Sequence, residues 1–218
     1  MSAYFVTAVG TGVGKTFTTC ALLHAARARG QQAQGYKPII SGWDDADSAS
    51  DTLEIIRAGS AGQTIEEVSP WRFTAPLAPH RAAALENKTL DTDALVAWSR
   101  ARVGQKGLTL IEGVGGVMVP LTNTTTTLDW MAALELPVIL VTGSYLGAIS
   151  HTLTALHALR SKKLQVAALV MSETHGSSVT LEEAMTGLAP HIDDIALRLT
   201  QPLVSSWREA RAIHTLEV

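Results

Sequence analysis

The segment Val9-Gly10-Thr11-Gly12-Val13-Gly14-Lys15-Thr16 constrains this chain more than any other stretch. It stands between an apolar run at residues 4–8 and a long Ala- and Leu-rich helical pattern at 15–29, which Gly30 ends. Glycines in a strand-to-helix turn let backbone amides face an anion, and the helix N-terminus adds the positive end of its dipole. Lys15 is spaced to reach the β- and γ-phosphates of a nucleotide, and the Thr16 hydroxyl to hold magnesium. The strict phosphate-loop pattern has a glycine where this chain has Val9. The junction context carries the reading nonetheless, against the blander one of a chance Gly-Lys-Thr in a turn.

Such a loop belongs to an alternating α/β chain, and the remaining pattern agrees. Apolar runs at 33–37, 108–111, 137–142, 164–171 and 195–199 alternate with helical patterns at 51–58, 92–102, 146–160 and 180–188. This predicts an α/β fold of P-loop NTPase type, a doubly wound, mostly parallel sheet flanked by helices. The length of 218 residues suits a single domain over 1–218. Residues 41–50 read as a polar surface loop, with Ser50 or Asp51 as the next helix cap. The stretch 69–80, with Pro70, Pro76 and Pro79, reads as irregular, and the tail beyond Leu199 has no assignment.

Composition excludes several function classes. With 46% hydrophobic and 17% charged residues the chain is globular and not disordered. Its 17 basic and 20 acidic residues lack the excess that an extended nucleic-acid surface requires. No apolar run approaches the ~20 residues of a membrane helix, and residues 1–9 show no basic segment before an apolar core. Cys20 is the sole cysteine, so no internal disulfide forms; a cytoplasmic protein with no nucleic-acid or membrane partner is expected. Cys20 itself lies in a buried-helix pattern and reads as packing, not as a nucleophile.

Ligands bind at the carboxyl edge of a parallel sheet, which singles out strand-end residues. Glu112 ends the run 108–111 and precedes Gly113-Val114-Gly115-Gly116, whose glycines permit close backbone approach. It is a candidate second magnesium anchor opposite Thr16, the alternative being a solvated strand-end glutamate. Lys37 ends another run and is either a phosphate contact or a surface charge. Asp51, from spacing alone, reads as a helix cap.

Together these segments resemble the dethiobiotin synthetase family. The motifs that carry the resemblance are Gly14-Lys15-Thr16, Gly35-Tyr36-Lys37-Pro38 with Ser41, Ser50-Asp51, and Pro76-Leu77-Ala78-Pro79-His80. Glu112-Gly113-Val114-Gly115-Gly116 with Pro120-Leu121 and Leu146-Gly147-Ala148-Ile149-Ser150-His151 follow in order. The similarity runs to Ser172, about four-fifths of the chain.

The resemblance implies formation of dethiobiotin from 7,8-diaminononanoate, CO2 or bicarbonate, and ATP as co-substrate, with Mg2+. It implies a carbamate, a carbamic-phosphoric anhydride and a ring closure that expels phosphate. It assigns Lys37 and Lys15 to catalysis, Thr16, Asp51 and Glu112 to the metal, and Thr11 and Ser41 to the diamine. The backbone of Gly12, Val13, Gly14, Lys15, Thr16 and Phe17 would wrap the phosphates. Asp51, Glu112, Gly113, Val114, Gly115, Ser172 and Glu173 would complete the nucleotide site. The family's enzymes are homodimers, in which Leu146, Gly147 and Ser150 of one subunit would meet the substrate carboxylate in the other. His151 reads as packing or capping, and His80 matches a motif without an assigned chemical role.

The chain departs from the family pattern at Ala8-Val9-Gly10, where Gly-Thr-Asp is usual, and at Ser150, where Asn is common. Ser172-Glu173 replaces the Asn-Asp that reads the base, and Gln201-Pro202 replaces Ile-Pro. A Ser hydroxyl cannot reproduce the donor and acceptor pair of an Asn, so a relaxed nucleotide preference is expected. Three rival readings share the phosphate loop. A partition or septum-site ATPase switch carries an extra Lys near the start of its loop, which this chain lacks. An amidating synthase of corrinoid biosynthesis is normally joined to a glutaminase domain, and a small-metabolite kinase would leave a stable phosphorylated product.

Overall fold

The computed structural model describes residues 2–104 and 107–215. In chain order its strands are β1 (Ser2–Ala8), β2 (Ala33–Tyr36), β3 (Ile39–Ser41), β4 (Trp71–Phe73), β5 (Leu108–Glu112), β6 (Val138–Gly143), β7 (Val166–Ser172) and β8 (Leu197–Gln201). The helices are α1 (Lys15–Ala28), α2 (Asp51–Ala58), α3 (Ile65–Val68), α4 (Pro79–Leu85), α5 (Thr92–Arg100), α6 (Thr127–Leu134), α7 (Ala148–Ser161), α8 (Leu181–Leu188) and α9 (Arg211–His214). Six strands lie parallel in the order β2-β5-β1-β6-β7-β8, and β3 pairs with β4 in a separate parallel ladder.

Successive side chains on a strand point to opposite faces, and here both faces are apolar. Phe5, Ile111, Val138, Leu140, Leu169 and Met171 enter one core with Leu95, Trp130, Leu156 and Leu188 from α5 to α8. Val6, Ala8, Leu108, Leu110, Ile139, Val141, Ala168 and Val170 enter the other, with Leu22 and Leu23 of α1 and Ile55 of α2. Strands covered on both sides read as continuous apolar runs, which is why they stood out in the sequence. Cys20 is fully buried in the second core, where burial pushes its thiol pKa up, so it packs and does not react.

Several elements differ from expectation. The stretch 69–80 contains β4 and the start of α4, where Pro79 occupies a first-turn position that needs no amide donor. Helix α6 was not anticipated, although Thr126 and Asp129 form a capping box at its start. The last strand runs to Gln201 and not from 195, because Ile195 is spent in the core below it. The unassigned tail folds into a 3-10 turn at Trp207–Glu209 and then α9, which pack Trp207, Ala210 and Ile213 against α1. Residues 216–218 of that tail lie outside the described residues. Among the described residues no helix is long and apolar enough to cross a membrane.

Candidate active site

Because the six strands are parallel, their carboxyl ends share one edge, and the distant motifs of the sequence meet there. The loop after β1 leads into α1 through Gly14, whose φ of 99° lies in the left-handed region that disfavours a side chain. A Cβ at that position would also approach Ser172 Oγ to 3.1 Å. Lys15 is buried, and its Nζ donates to the Gly10 carbonyl at 2.8 Å. Burial lowers its pKa to about 8, with the Glu112 carboxylate acting in the opposite sense.

Glu112, 0% exposed, is the hub of the site. Its Oε1 accepts from Thr16 Oγ1 at 2.7 Å and from Lys37 Nζ at 3.0 Å, and its Oε2 accepts from Thr19 Oγ1 at 2.7 Å. Lys37, 6% exposed, pairs also with Asp51 and lies 3.4 Å from Thr16 Oγ1. Burial acts to lower the Lys37 pKa, but the Glu112 and Asp51 carboxylates outweigh it and raise the value. Burial likewise opposes ionisation of Asp51, and the Lys37 ammonium beside it holds its pKa below the usual range. The cap of α2 is Ser50, which accepts from the Leu53 amide, so the Asp51 carboxylate is left to face Lys37.

A cation therefore already sits among one hydroxyl and two carboxylates. Hard oxygen donors of this kind suit magnesium, which takes few protein ligands and fills its sphere with water and phosphate oxygens. Among the described residues no cluster of three or more His, Cys, Asp or Glu side chains competes for a metal. The residues fit the ion.

Two clefts flank the phosphate loop and share Gly12, Gly14 and Phe17 as a common wall. The larger, about 820 Å³, is lined by Thr11, Lys15, Thr16, Lys37, Ser41 and Asp51, together with Val114 and Gly115. Trp43, Pro76 and Leu77 supply its apolar side, and the buried Ser41 hydroxyl has no partner. The smaller, about 390 Å³, is lined by Val13, Ser172, Glu173 and the segment after β8. There Glu173 Oε2 accepts from the Leu203 amide at 2.8 Å.

Gly113 lines neither cleft; a Cβ there would meet the Phe5 ring at 2.9 Å, so its smallness serves packing. Leu146, Gly147 and Ser150 sit at the start of α7, outside both clefts, with Leu146 85% exposed. His151 bonds to the Tyr145 hydroxyl, and His80 Nδ1 donates to the Pro120 carbonyl. Thr19 and Trp43 were not picked out from the sequence. Thr19 follows Thr16 by three positions on one helix face, a spacing that could have found it.

A family model described as an AAA domain matches residues 2–203. The septum site-determining protein MinD of Pyrococcus horikoshii, solved with Mg-ADP, superposes with a TM-score of 0.58 at 16% identity, covering 97% of this chain and 93% of that one. A ParA family ATPase from Chlorobium tepidum gives 0.54 at 11% identity, covering 92% and 84%. At such identities these two share the fold alone. The dethiobiotin synthetase BioD of Caulobacter sp. strain K31 is 46% identical over 210 residues, 95% of this chain and 90% of its own length. The Anaeromyxobacter sp. strain K enzyme of the same name is 38% identical over 99% of this chain and 97% of its own. With its phosphate loop, strand-end carboxylates and nearly full-length similarity, the chain belongs to the ATP-dependent dethiobiotin synthetase family.

Proposed function

We propose that this chain is an ATP-dependent ligase that closes the cyclic urea of dethiobiotin from 7,8-diaminononanoate and CO2. The observation that carries the reading is the pair of buried ammonium groups, Lys15 and Lys37, beside one another at the wall of the larger cleft. The rival ATPase switch carries its extra lysine near the start of the phosphate loop, whereas the second lysine here follows β2. A reaction that gathers a triphosphate and a carbamate, both anionic, needs it.

One amine of the substrate adds to CO2 and loses a proton, giving a carbamate. Its oxygen displaces ADP from the γ-phosphorus, and the second amine then attacks the carbonyl carbon, loses its proton and expels phosphate. Little covalent chemistry falls to the protein, so positioning and charge balance supply the rate. The ammonium of Lys15 exchanges the Gly10 carbonyl for a phosphate oxygen, and that of Lys37 faces the carbamate. Thr11 and Ser41 hold the diamine, whose alkyl chain lies along Trp43 and Leu77. Val114 and Gly115 border the triphosphate. Thr16, Asp51 and Glu112 would hold magnesium, which when bound offsets charge on the phosphate oxygens. The enzyme acts as a cytoplasmic homodimer, and Leu146, Gly147 and Ser150 serve the partner's substrate.

Release of inorganic phosphate tests the reading. It is expected only when ATP, diamine and bicarbonate are all present. Equal release without the diamine, or a stable phosphorylated diamine as product, overturns it.

A further inference from the structure

The smaller cleft is lined by a buried amide whose oxygen has no partner. Gln201 is the last residue of β8 and pairs in register with Ser172 at the end of β7. It is 3% exposed and lines the cleft. Its Nε2 donates to the Pro202 carbonyl at 2.7 Å. A carbonyl only accepts, so this bond fixes which end of the amide is which, and the opposite end is the oxygen. That Oε1 is buried without a partner, as is the hydroxyl of Ser172 next to it. Buried polar atoms left unpaired cost stability, and two at the edge of a ligand cleft point to a ligand that completes them.

We infer that Gln201 reads the base of the phosphate donor, its Oε1 accepting from an exocyclic amino group while the Ser172 hydroxyl donates to the neighbouring ring nitrogen. The inference rests on the proposed function only in taking the smaller cleft, which shares the phosphate loop, as the seat of the base. Adenine and cytosine each present an amino group beside an acceptor nitrogen. Guanine and uracil present a keto oxygen there, which would meet Oε1 acceptor to acceptor. The Ser172-Glu173 departure therefore widens nucleotide choice toward CTP and not toward GTP or UTP. Glu173, on the same cleft, has its Oε2 engaged by the Leu203 amide.

The test is kcat/KM for phosphate release with ATP, CTP, GTP and UTP, at saturating diamine and bicarbonate with magnesium. ATP and CTP are expected within about threefold of each other, and GTP and UTP roughly ten- to a hundredfold lower, through KM. Gln201→Leu removes the acceptor and should close most of that gap. GTP within about threefold of ATP in the native enzyme overturns the inference, as does an ATP-to-GTP ratio unchanged in Gln201→Leu. Should that variant fail to fold, the native nucleotide series decides alone. Absence of diamine-dependent phosphate release with every nucleotide would instead sink the synthetase reading. Equilibrium binding of the same four nucleotides would then test Gln201 on its own.

Discussion

At the scale of single residues the site depends on one buried carboxylate and the donors that satisfy its oxygens. Glu112 has no access to water and satisfies its two oxygens with Thr16, Thr19 and Lys37. Leaving one oxygen unpaired costs the desolvation of a charged acceptor, so Thr19→Val should destabilise the fold by about 1.5–3 kcal/mol, read from the urea midpoint. The same substitution should weaken magnesium-dependent nucleotide binding, whereas Thr19→Ser should restore both. Lys37→Ala should abolish turnover while equilibrium titration shows nucleotide binding largely kept; turnover within about tenfold of native would remove Lys37 from catalysis. Thr16 was legible from the phosphate loop, and Lys37 and Glu112 because each ends or follows an apolar run. Thr19 shares the helix face of Thr16, but its bond to Glu112, 93 positions away, exists only in the folded chain.

At the scale of elements the strands were the most legible part, since runs buried on both faces are continuous in the sequence. Leu110, fully buried between the sheet and α1, should cost about 2–5 kcal/mol on substitution by Ala, measured by chemical unfolding. The short pieces β3, β4 and α3 were not legible; segments of three or four residues carry too little periodicity. The tail is held through Glu54 on α2, which accepts from the Trp207 indole at 2.7 Å and pairs with Arg57. The Trp207 bond in particular holds the Glu54 pKa below its ordinary value. A carboxylate with a lowered folded pKa adds stability above the ordinary glutamate range, and that part is lost as pH falls through the lowered value. Glu54→Gln should therefore lower the melting temperature at pH 7, with the difference from native shrinking toward pH 4. A difference independent of pH would refute the role of the charge.

At the scale of the whole molecule, the strand order puts β5 between β1 and β2, which sets Glu112 between the phosphate loop and Lys37. The exposed Leu146, outside both clefts of its own chain, gives the proposed dimer a direct test. If each site combines Lys37 of one subunit with Leu146 of the other, mixing Lys37→Ala with Leu146→Asp protein should restore activity. In a random mixture half the dimers are hybrids with one intact site, so roughly a quarter of native activity is expected. No recovery after subunit exchange would assign Leu146 to its own chain or to no site.

The amino-acid sequence by itself determined the parallel α/β architecture, the phosphate loop and the family. Those follow from local periodicity, from glycines at a strand-to-helix turn, and from motifs that each occupy a few consecutive residues. The tertiary structure alone decided that Lys37 bridges Asp51 and Glu112, that Gly113 packs on Phe5, and that Gln201, its amide oxygen buried without a partner, lines the smaller cleft. Each of those depends on burial and on which distant strand ends fall side by side, and neither quantity is a property of any local stretch of chain.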